Sequence, residues 1–173
     1  NVLHDSTFES RIEFTWLDAQ TGFMVHDRDF LRSTNGGVSW DTLSENSLTF
    51  LTEDLAAFDS TTILVTQGAF ISKSQDGGRT WDRFYNHPYI GTGNRALHVH
   101  PDGKVWAANR WHSLLYSDDM GESWADLFPG FRGFLSQAVN WQADTVIAAG
   151  NNSMVIKTTN GGVDWGELTD NLP

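Results

Sequence analysis

The sequence contains no cysteine, so it can form neither a disulfide nor a thiolate metal site. It also lacks any apolar run close to the roughly 18 to 20 residues of a membrane-spanning helix. We therefore expect no membrane insertion. The absence of cysteine is compatible with any cellular compartment, so the residues alone leave the compartment open.

Basic residues are also scarce, because 11 Lys and Arg stand against 22 Asp and Glu, a formal net charge of -11. Nucleic-acid binding depends largely on neutralising phosphates with Lys and Arg. An excess of carboxylates gives no overall attraction for phosphates or for anionic membrane surfaces. We predict that nucleic acid is not a partner.

The chain does contain enough apolar material for one folded domain. Its 173 residues are 39% hydrophobic and 13% aromatic, which is ample for a buried core.

An eight-residue motif occurs four times, and each copy ends in tryptophan. The copies are STNGGVSW (33–40), SQDGGRTW (74–81), SDDMGESW (117–124) and TTNGGVDW (158–165). Their tryptophans lie 41, 43 and 41 residues apart. A propeller blade of four short strands takes about 40 to 45 residues, so this period predicts a β-propeller.

Each repeat is interpreted as four strands, A to D. Strand B is a nearly unbroken apolar run, such as TILV at 62–65 or VWAA at 105–108, which is typical of a strand covered on both faces. Strand A precedes it, strand C runs into the motif, and strand D begins at the motif tryptophan. The fold class is all-β, a propeller of four-stranded antiparallel blades at about 11–43, 52–84, 95–127 and 134–168.

The motif itself is predicted to be a structural hairpin between strands C and D. Its third residue can bond to backbone N–H groups and its fifth can take a positive φ. Burying a tryptophan is worth about 5 kcal/mol as an upper bound, against about 1 kcal/mol for one turn hydrogen bond. The residues assigned this structural role are Ser33, Asn35, Gly37, Trp40, Ser74, Asp76, Gly78, Trp81, Ser117, Asp119, Gly121, Trp124, Thr158, Asn160, Gly162 and Trp165.

The pattern Ser/Thr-x-Asp/Asn-x-Gly-x-x-Trp resembles the Asp-box, or BNR repeat, of β-propellers. Related boxes occur in sialidases, sortilins, xyloglucanases and the photosystem II assembly factors. The TNGGVSW and TNGGVDW copies most resemble that last group and secreted bacterial relatives. The resemblance covers about residues 11 to 168. It implies an extracellular or cell-surface location, and it leaves the function open because one fold serves many activities.

Four complete repeats are visible, and Asn1 to His4 resemble the end of a further strand D. We therefore predict a segment of a larger propeller, whose remaining blades are partners of this one. A closed four-bladed ring and an assembly from several chains are the alternatives.

The resemblance also implies that ligands bind on the face formed by the D-A and B-C loops, opposite the motif hairpins. Aromatic rings stack on sugars or peptide side chains, and arginine binds carboxylates with two hydrogen bonds. The predicted protein- or carbohydrate-binding residues on this face are Tyr89, Arg95, Arg110, Trp111 and His112. The alternative is that these side chains only cover blade edges and pair with surplus acids.

Arginines recur near the start of strand A. Arg11 and Arg95 both lie 29 residues before the tryptophan of their repeats, Arg132 lies 33 before its own, and Thr52 takes this place in the second repeat. Assembly factors and sialidases use arginines on this face. A partial arginine ring at the channel mouth is therefore the second binding hypothesis, against scattered solvated arginines.

No cofactor and no metal are predicted. His98 and His100 project from one side of a strand, but two histidines are half a zinc site, and Asp102 would join them only through a sharp turn. Asp118 and Asp119 are interpreted as turn residues, because the dense oxygens of a calcium loop are missing.

Three functions remain. A non-catalytic module binding a protein or glycan is favoured over an assembly factor and over a fragment of a glycoside hydrolase. A sialidase needs an arginine triad, a tyrosine with a glutamate and an acid/base aspartate, whereas only Arg11-Ile12-Glu13 approaches its pattern. The residues thus favour a binding role over an enzyme.

Overall fold

The computed structural model describes residues 12–45, 47–48, 52–86, 94–109, 114–127, 135–142, 144–151 and 154–168. All the regular structure in these ranges is β-strand. No helix in them is long and apolar enough to cross a membrane.

The strands form four sheets of four strands each, which we call blades 1 to 4. Blade 1 contains β1 (Ile12–Trp16), β2 (Gly22–His26), β3 (Asp29–Ser33) and β4 (Asp41–Ser44). Blade 2 contains β5 (Asp54–Ala57), β6 (Ile63–Gln67), β7 (Phe70–Ser74) and β8 (Asp82–Asn86). Blade 3 contains β9 (Asn94–Val99), β10 (Val105–Asn109), β11 (Leu114–Ser117) and β12 (Ala125–Leu127). Blade 4 contains β13 (Leu135–Gln142), β14 (Thr145–Gly150), β15 (Val155–Thr158) and β16 (Gly166–Glu167).

Within each blade every strand pairs antiparallel with the next one along the chain. This is the predicted order A, B, C, D, and it confirms the all-β fold of four-stranded antiparallel blades. One detail differs from the prediction: strand D begins one residue after the motif tryptophan in all four blades. The tryptophan belongs to the turn because its ring folds back under the hairpin, as described below.

The blades pack face to face, and each contact is a separate apolar cluster. Blades 1 and 2 share Phe23, Phe30, Leu55 and Ile63, with Trp81 packed against them. The cluster between blades 2 and 3 includes Leu64, Ile71, Val105 and Leu115. The cluster between blades 3 and 4 includes Trp106, Leu114, Ala138 and Ile156. The core is therefore divided among three interfaces between neighbouring blades.

The burial of the B strands follows from this stacking. All five residues of β6 are buried, because blade 2 is covered on both faces. In β14 buried and half-buried residues alternate, because blade 4 has a described neighbour on one face only. The prediction of fully covered B strands is therefore confirmed for β6 in blade 2 and for Val105 to Ala108 of β10 in blade 3. The strands β2 and β14, in the two end blades, are covered more on one face than on the other.

Candidate functional site

The motif hairpins are built on the side chain of their first residue. In blade 2 the Ser74 hydroxyl donates to Asp76 Oδ1 at 2.8 Å and accepts the Gly78 N–H at 2.7 Å. Asp76 Oδ1 also accepts the N–H of Thr80 at 2.9 Å. The same three bonds recur in the other blades, with Ser33, Asn35, Gly37 and Ser39, with Ser117, Asp119, Gly121 and Ser123, and with Thr158, Asn160, Gly162 and Asp164.

The hairpins are also tied to the turn between strands A and B of their own blade. The N–H of the fourth motif residue donates to a carbonyl of that turn, as from Gly77 to Thr61 at 3.0 Å and from Met120 to Gly103 at 3.1 Å. The motif and the A-B turn therefore lie at the same end of the blade. The D-A and B-C connections leave from the opposite end, as the family resemblance implied.

The fifth motif residue is glycine in all four copies, and in blades 2 to 4 it has a second structural reason besides its positive φ. A Cβ on Gly78 would lie 2.0 Å from Cε1 of Phe30 in blade 1. A Cβ on Gly121 would lie 3.1 Å from Leu64 in blade 2, and one on Gly162 would lie 2.8 Å from Leu127 in blade 3. Each of these glycines thus receives a side chain of the preceding blade. Sequence reasoning predicted the φ and missed this contact, because the contacting residue lies in another repeat.

Three motif tryptophans complete the same interfaces. The indole N–H of Trp81 donates to the Gly78 carbonyl at 3.2 Å, and its ring meets that of Phe30 edge-on at 5.0 Å. Trp124 and Trp165 make the equivalent hydrogen bonds at 3.1 and 3.0 Å. The motifs of blades 2 to 4 therefore hold each of these blades against the preceding one.

Two motif carboxylates carry lowered pKa values. Desolvation is the largest influence on Asp76 and acts against ionisation, but the hydrogen bonds from Thr80, Ser74 and Arg79 together lower its pKa from 3.8 to about 2. The side-chain and backbone hydrogen bonds from Ser123 lower the pKa of Asp119 from 3.8 to about 2. Both groups accept several donors in the folded hairpin, which favours the charged form.

The free energy of unfolding should depend on pH through the ionisation of Asp76 and Asp119. Because their pKa values are depressed in the folded state, they stabilise it fully above about pH 4 and lose that contribution as the pH falls towards about 2. Asn35 and Asn160 hold the same position in blades 1 and 4, so Asp76→Asn with Asp119→Asn is compatible with the hairpin. Urea unfolding from pH 7 to pH 2.5 should show a steeper acid loss in the wild type than in this variant. Equal losses would contradict the assignment.

The predicted binding face lies largely outside the described residues. The predicted residues outside the described ranges are Arg11, Tyr89, Arg110, Trp111, His112 and Arg132, together with Asn1 to His4. Arg95 is the second residue of β9, and its backbone is described while its side chain is not. The binding role of these residues therefore stays a prediction.

The described part of this face contains a contact that the sequence did not suggest. Asp54 lies at the start of β5, and its Oδ2 accepts the N–H of Leu97 in β9 at 2.6 Å. Its Oδ1 accepts the N–H of the next residue, Leu55, at 2.8 Å. This carboxylate ties strand A of blade 3 to strand A of blade 2, two residues after Arg95. Thr52, the residue that replaces arginine in the second repeat, is buried just before β5.

The described residues also form a cavity of about 790 Å³ at the motif end. The A-B turns of blades 1 to 3 line it together with the blade 3 hairpin, and its walls include Trp16, Phe58, Asp59, His100 and Asp118. Hydrogen bonds within the Asp59 turn outweigh desolvation, the largest single influence, and lower the pKa of that carboxyl. The cavity is thus acidic and partly aromatic. Sequence reasoning placed the functional loops at the opposite end and did not foresee it.

His100, the second histidine of the predicted pair, lies in the turn between β9 and β10. The His100 N–H donates to the Lys104 carbonyl at 2.8 Å, and the His100 carbonyl accepts the Gly103 N–H at 2.9 Å. In this turn His100 Nδ1 lies 2.7 Å from Asp102 Oδ1. The sharp turn needed to bring Asp102 to this histidine therefore exists. Among the described residues no three metal-ligating side chains come together.

No protein-family model matches the sequence, and the comparison with curated proteins gives no match. Among solved structures the chain is similar to YCF48 from Cyanidioschyzon merolae, with a TM-score of 0.65 and 14% identity over 92% of this chain and 56% of that one. It is similar to the GH74 enzyme of Niastella koreensis, with a TM-score of 0.72 and 16% identity over 87% of this chain and 28% of that one. For the GH74 xyloglucanase from Xanthomonas campestris the TM-score is 0.69, with 15% identity over 92% of this chain and 30% of that one.

These similarities show the fold, because the identities are too low to carry more. The chain is a segment of a β-propeller. It spans a little over half the length of the YCF48 structure and less than a third of either GH74 enzyme.

Proposed function

We propose that this chain is a non-catalytic binding module of the Asp-box type, secreted or displayed at a bacterial cell surface. In this proposal it holds a protein or a glycan through the D-A and B-C loops, and further blades complete its propeller. The opposite end of each blade carries the motif hairpins, whose polar groups are already used in hydrogen bonds within the hairpin.

The observation that carries the proposal is the hydrogen bond from the Leu97 N–H to Asp54 Oδ2. It fixes the first strand of blade 3 against blade 2 and so holds the backbone of Arg95 in one position at the candidate face. A binding residue on a rigid strand loses less conformational freedom when its ligand binds. Arginine in such a place suits a carboxylate, which peptides and acidic glycans both offer.

An assembly factor that holds a polypeptide through surface arginines is the second candidate. The fold similarity to YCF48 favours it, as does the recurrence of arginine near strand A in three of the four repeats. The two candidates differ in the ligand, since the second requires a peptide.

The test is binding of the folded chain to an array of acidic glycans and of peptides with free carboxylates. Arg95→Glu with Arg132→Glu should reduce binding at least tenfold, because two attractive charges become repulsive. Arg79→Glu is the control, since Arg79 lies in a motif hairpin at the other end. Loss of glycan binding supports the first candidate over the second, whereas loss of peptide binding alone is the result that the second requires and the first also allows. Binding that the double variant leaves unchanged would overturn both.

The third possibility, a fragment of a glycoside hydrolase, is distinguished from the two binding candidates by an assay of hydrolase activity. Assays with fluorogenic sialosides and with β-glucans should show no turnover by this chain. Turnover that survives purification and is lost on substitution of a carboxylate in this chain would overturn the non-catalytic proposal.

A further inference from the structure

Asparagine followed by glycine occurs at two places in the sequence, and both lie in motif hairpins. The pairs are Asn35-Gly36 in blade 1 and Asn160-Gly161 in blade 4. Such pairs deamidate readily, because glycine has no Cβ to hinder the attack of its backbone nitrogen on the asparagine side chain. We propose that Asn160 is a site of spontaneous deamidation whose aspartate product weakens the hairpin of blade 4, whereas the hairpin of blade 1 accepts the same change at Asn35.

The reaction needs no reagent other than water. The Gly161 nitrogen attacks Cγ of Asn160, so that an N–Cγ bond forms and the Cγ–Nδ2 bond breaks. Nδ2 leaves as ammonia, and the proton of the Gly161 N–H supplies its third hydrogen through the solvent. Water then opens the cyclic imide at either carbonyl, which gives aspartate or isoaspartate. Isoaspartate places Cβ in the backbone and fits neither hairpin, so the two sites differ in the aspartate product.

The closed hairpin already engages the atoms that react. The Gly161 N–H donates to the carbonyl of Asp144 at 2.9 Å. Asn160 Oδ1 accepts the Thr158 hydroxyl at 2.9 Å and the Asp164 N–H at 3.0 Å. The pair in blade 1 is held by the equivalent bonds. Deamidation at either site therefore proceeds from an open hairpin, and its rate depends on how often the hairpin opens.

The seventh motif residue decides what an aspartate at the third position meets. In blade 2 the Thr80 hydroxyl donates to Asp76 Oδ2 at 2.6 Å. In blade 3 the Ser123 hydroxyl donates to Asp119 Oδ2, also at 2.6 Å. Where the motif carries an aspartate, its second oxygen thus accepts a hydroxyl hydrogen.

Blades 1 and 4 differ at this position. Asn35 Nδ2 donates to the Ser39 hydroxyl at 2.8 Å, whereas Asn160 Nδ2 donates to Asp164 Oδ2 at 2.9 Å. A hydroxyl donates as well as accepts, so Ser39 suits an aspartate at position 35. An ionised carboxylate only accepts, so an aspartate at position 160 loses this hydrogen bond and meets a second negative charge. The aspartate product therefore fits the hairpin of blade 1 and weakens that of blade 4.

Hydrogen exchange of the motif amides, followed by NMR in the full chain, tests the aspartate product. The Gly162 N–H, which donates to Thr158 Oγ1, should exchange about fivefold faster in Asn160→Asp. That factor corresponds to the repulsion of two charges about 4 Å apart in water. Asn35→Asp is the matched control, and its Gly37 N–H should exchange at the wild-type rate. The inference is independent of the ligand proposed above, because the motif hairpins lie at the other end of the blades.

A second substitution distinguishes charge repulsion from general damage to the hairpin. Asn160→Asp combined with Asp164→Ser reproduces the pair that Asp119 and Ser123 form in blade 3. Slow exchange should return in this double variant. Wild-type exchange in Asn160→Asp alone would overturn the proposal, and so would fast exchange that Asp164→Ser leaves unchanged.

Peptide mapping by mass spectrometry tests the reaction itself. Wild-type chain is incubated at mildly alkaline pH, either folded or unfolded in urea. Asn35 and Asn160 should both deamidate in the unfolded chain, and at least about tenfold more slowly in the folded chain. No conversion at Asn160 in the unfolded chain would overturn its assignment as a modification site. Equal rates in the folded and unfolded chains would show that the reaction does not depend on opening of the hairpin.

Discussion

Replacing Gly78 with alanine is expected to lower the free energy of unfolding by about 2 to 6 kcal/mol. The backbone φ of Gly78 is +93°, a conformation that costs a residue with a Cβ about 1 to 3 kcal/mol. The new Cβ would also lie 2.0 Å from Cε1 of Phe30, and relieving such overpacking costs about another 1 to 3 kcal/mol. Phe30 cannot withdraw easily, because it is fully buried between two blades.

Gly68→Ala is the control for this substitution. Gly68 has a φ of +58°, but nothing lies within 4 Å of the place where its Cβ would be. It should therefore lose only the backbone component, about 1 to 2 kcal/mol. Urea unfolding followed by circular dichroism gives both values, and equal losses at the two positions would contradict a contact between Gly78 and the preceding blade.

Replacing Trp81 with alanine should destabilise the chain by about 3 to 5 kcal/mol, the range for deleting a large aromatic side chain from a core. Its ring packs against the cluster between blades 1 and 2, edge-on to Phe30, and its indole N–H donates to Gly78. The substitution removes the packing and the hydrogen bond together. It leaves a cavity at the interface, because Phe30 and Leu55 are held by their own strands.

Trp40→Ala is the matched control, since it changes the same motif position. Trp40 meets Trp16 at 5.8 Å, and Trp16 is itself 43% exposed, so Trp40 lies at an open face of blade 1. We expect a loss of about 1 to 2 kcal/mol there. Thermal and urea unfolding of the two variants should differ by several degrees and at least 1 kcal/mol. A larger loss for Trp40→Ala would mean that the motif tryptophan acts within its own blade.

The strands could be predicted because the same pattern of apolar and turn residues occurs in all four repeats. TILV, VWAA and their equivalents all became B strands, and each motif became the hairpin between C and D. The hydrogen bonds inside the hairpin were also foreseeable, because Ser74, Asp76 and Gly78 lie within five residues of one another. Such local bonds depend on spacing that the sequence displays.

Contacts between repeats could not be predicted in the same way. Phe30 meets Gly78 across 48 residues, and Asp54 meets Leu97 across 43, and no periodicity indicates which residue of one blade reaches the next. The acidic cavity at the motif end was missed for a related reason. Turns from three different repeats form the walls of this cavity. The sequence of any one turn indicates only a loop between two strands.

The binding face is the least predictable part of the chain. Its candidates, such as Arg110 and Trp111, belong to loops that differ from one repeat to the next, so no second copy supports their interpretation. Arg95 is the exception, because β9 and the Asp54 carboxylate fix its backbone.

The claim that the motifs of blades 2 to 4 hold each of these blades against the preceding one is tested most directly by a double-mutant cycle between Phe30 and Gly78. Phe30→Val shortens the side chain that lies against Gly78, and valine already occupies the equivalent position of blade 4 as Val155. The stability cost of Gly78→Ala, measured by urea unfolding, should be smaller in the Phe30→Val background by about 1 to 3 kcal/mol. An identical cost in both backgrounds would show that the motif glycine does not contact the neighbouring blade.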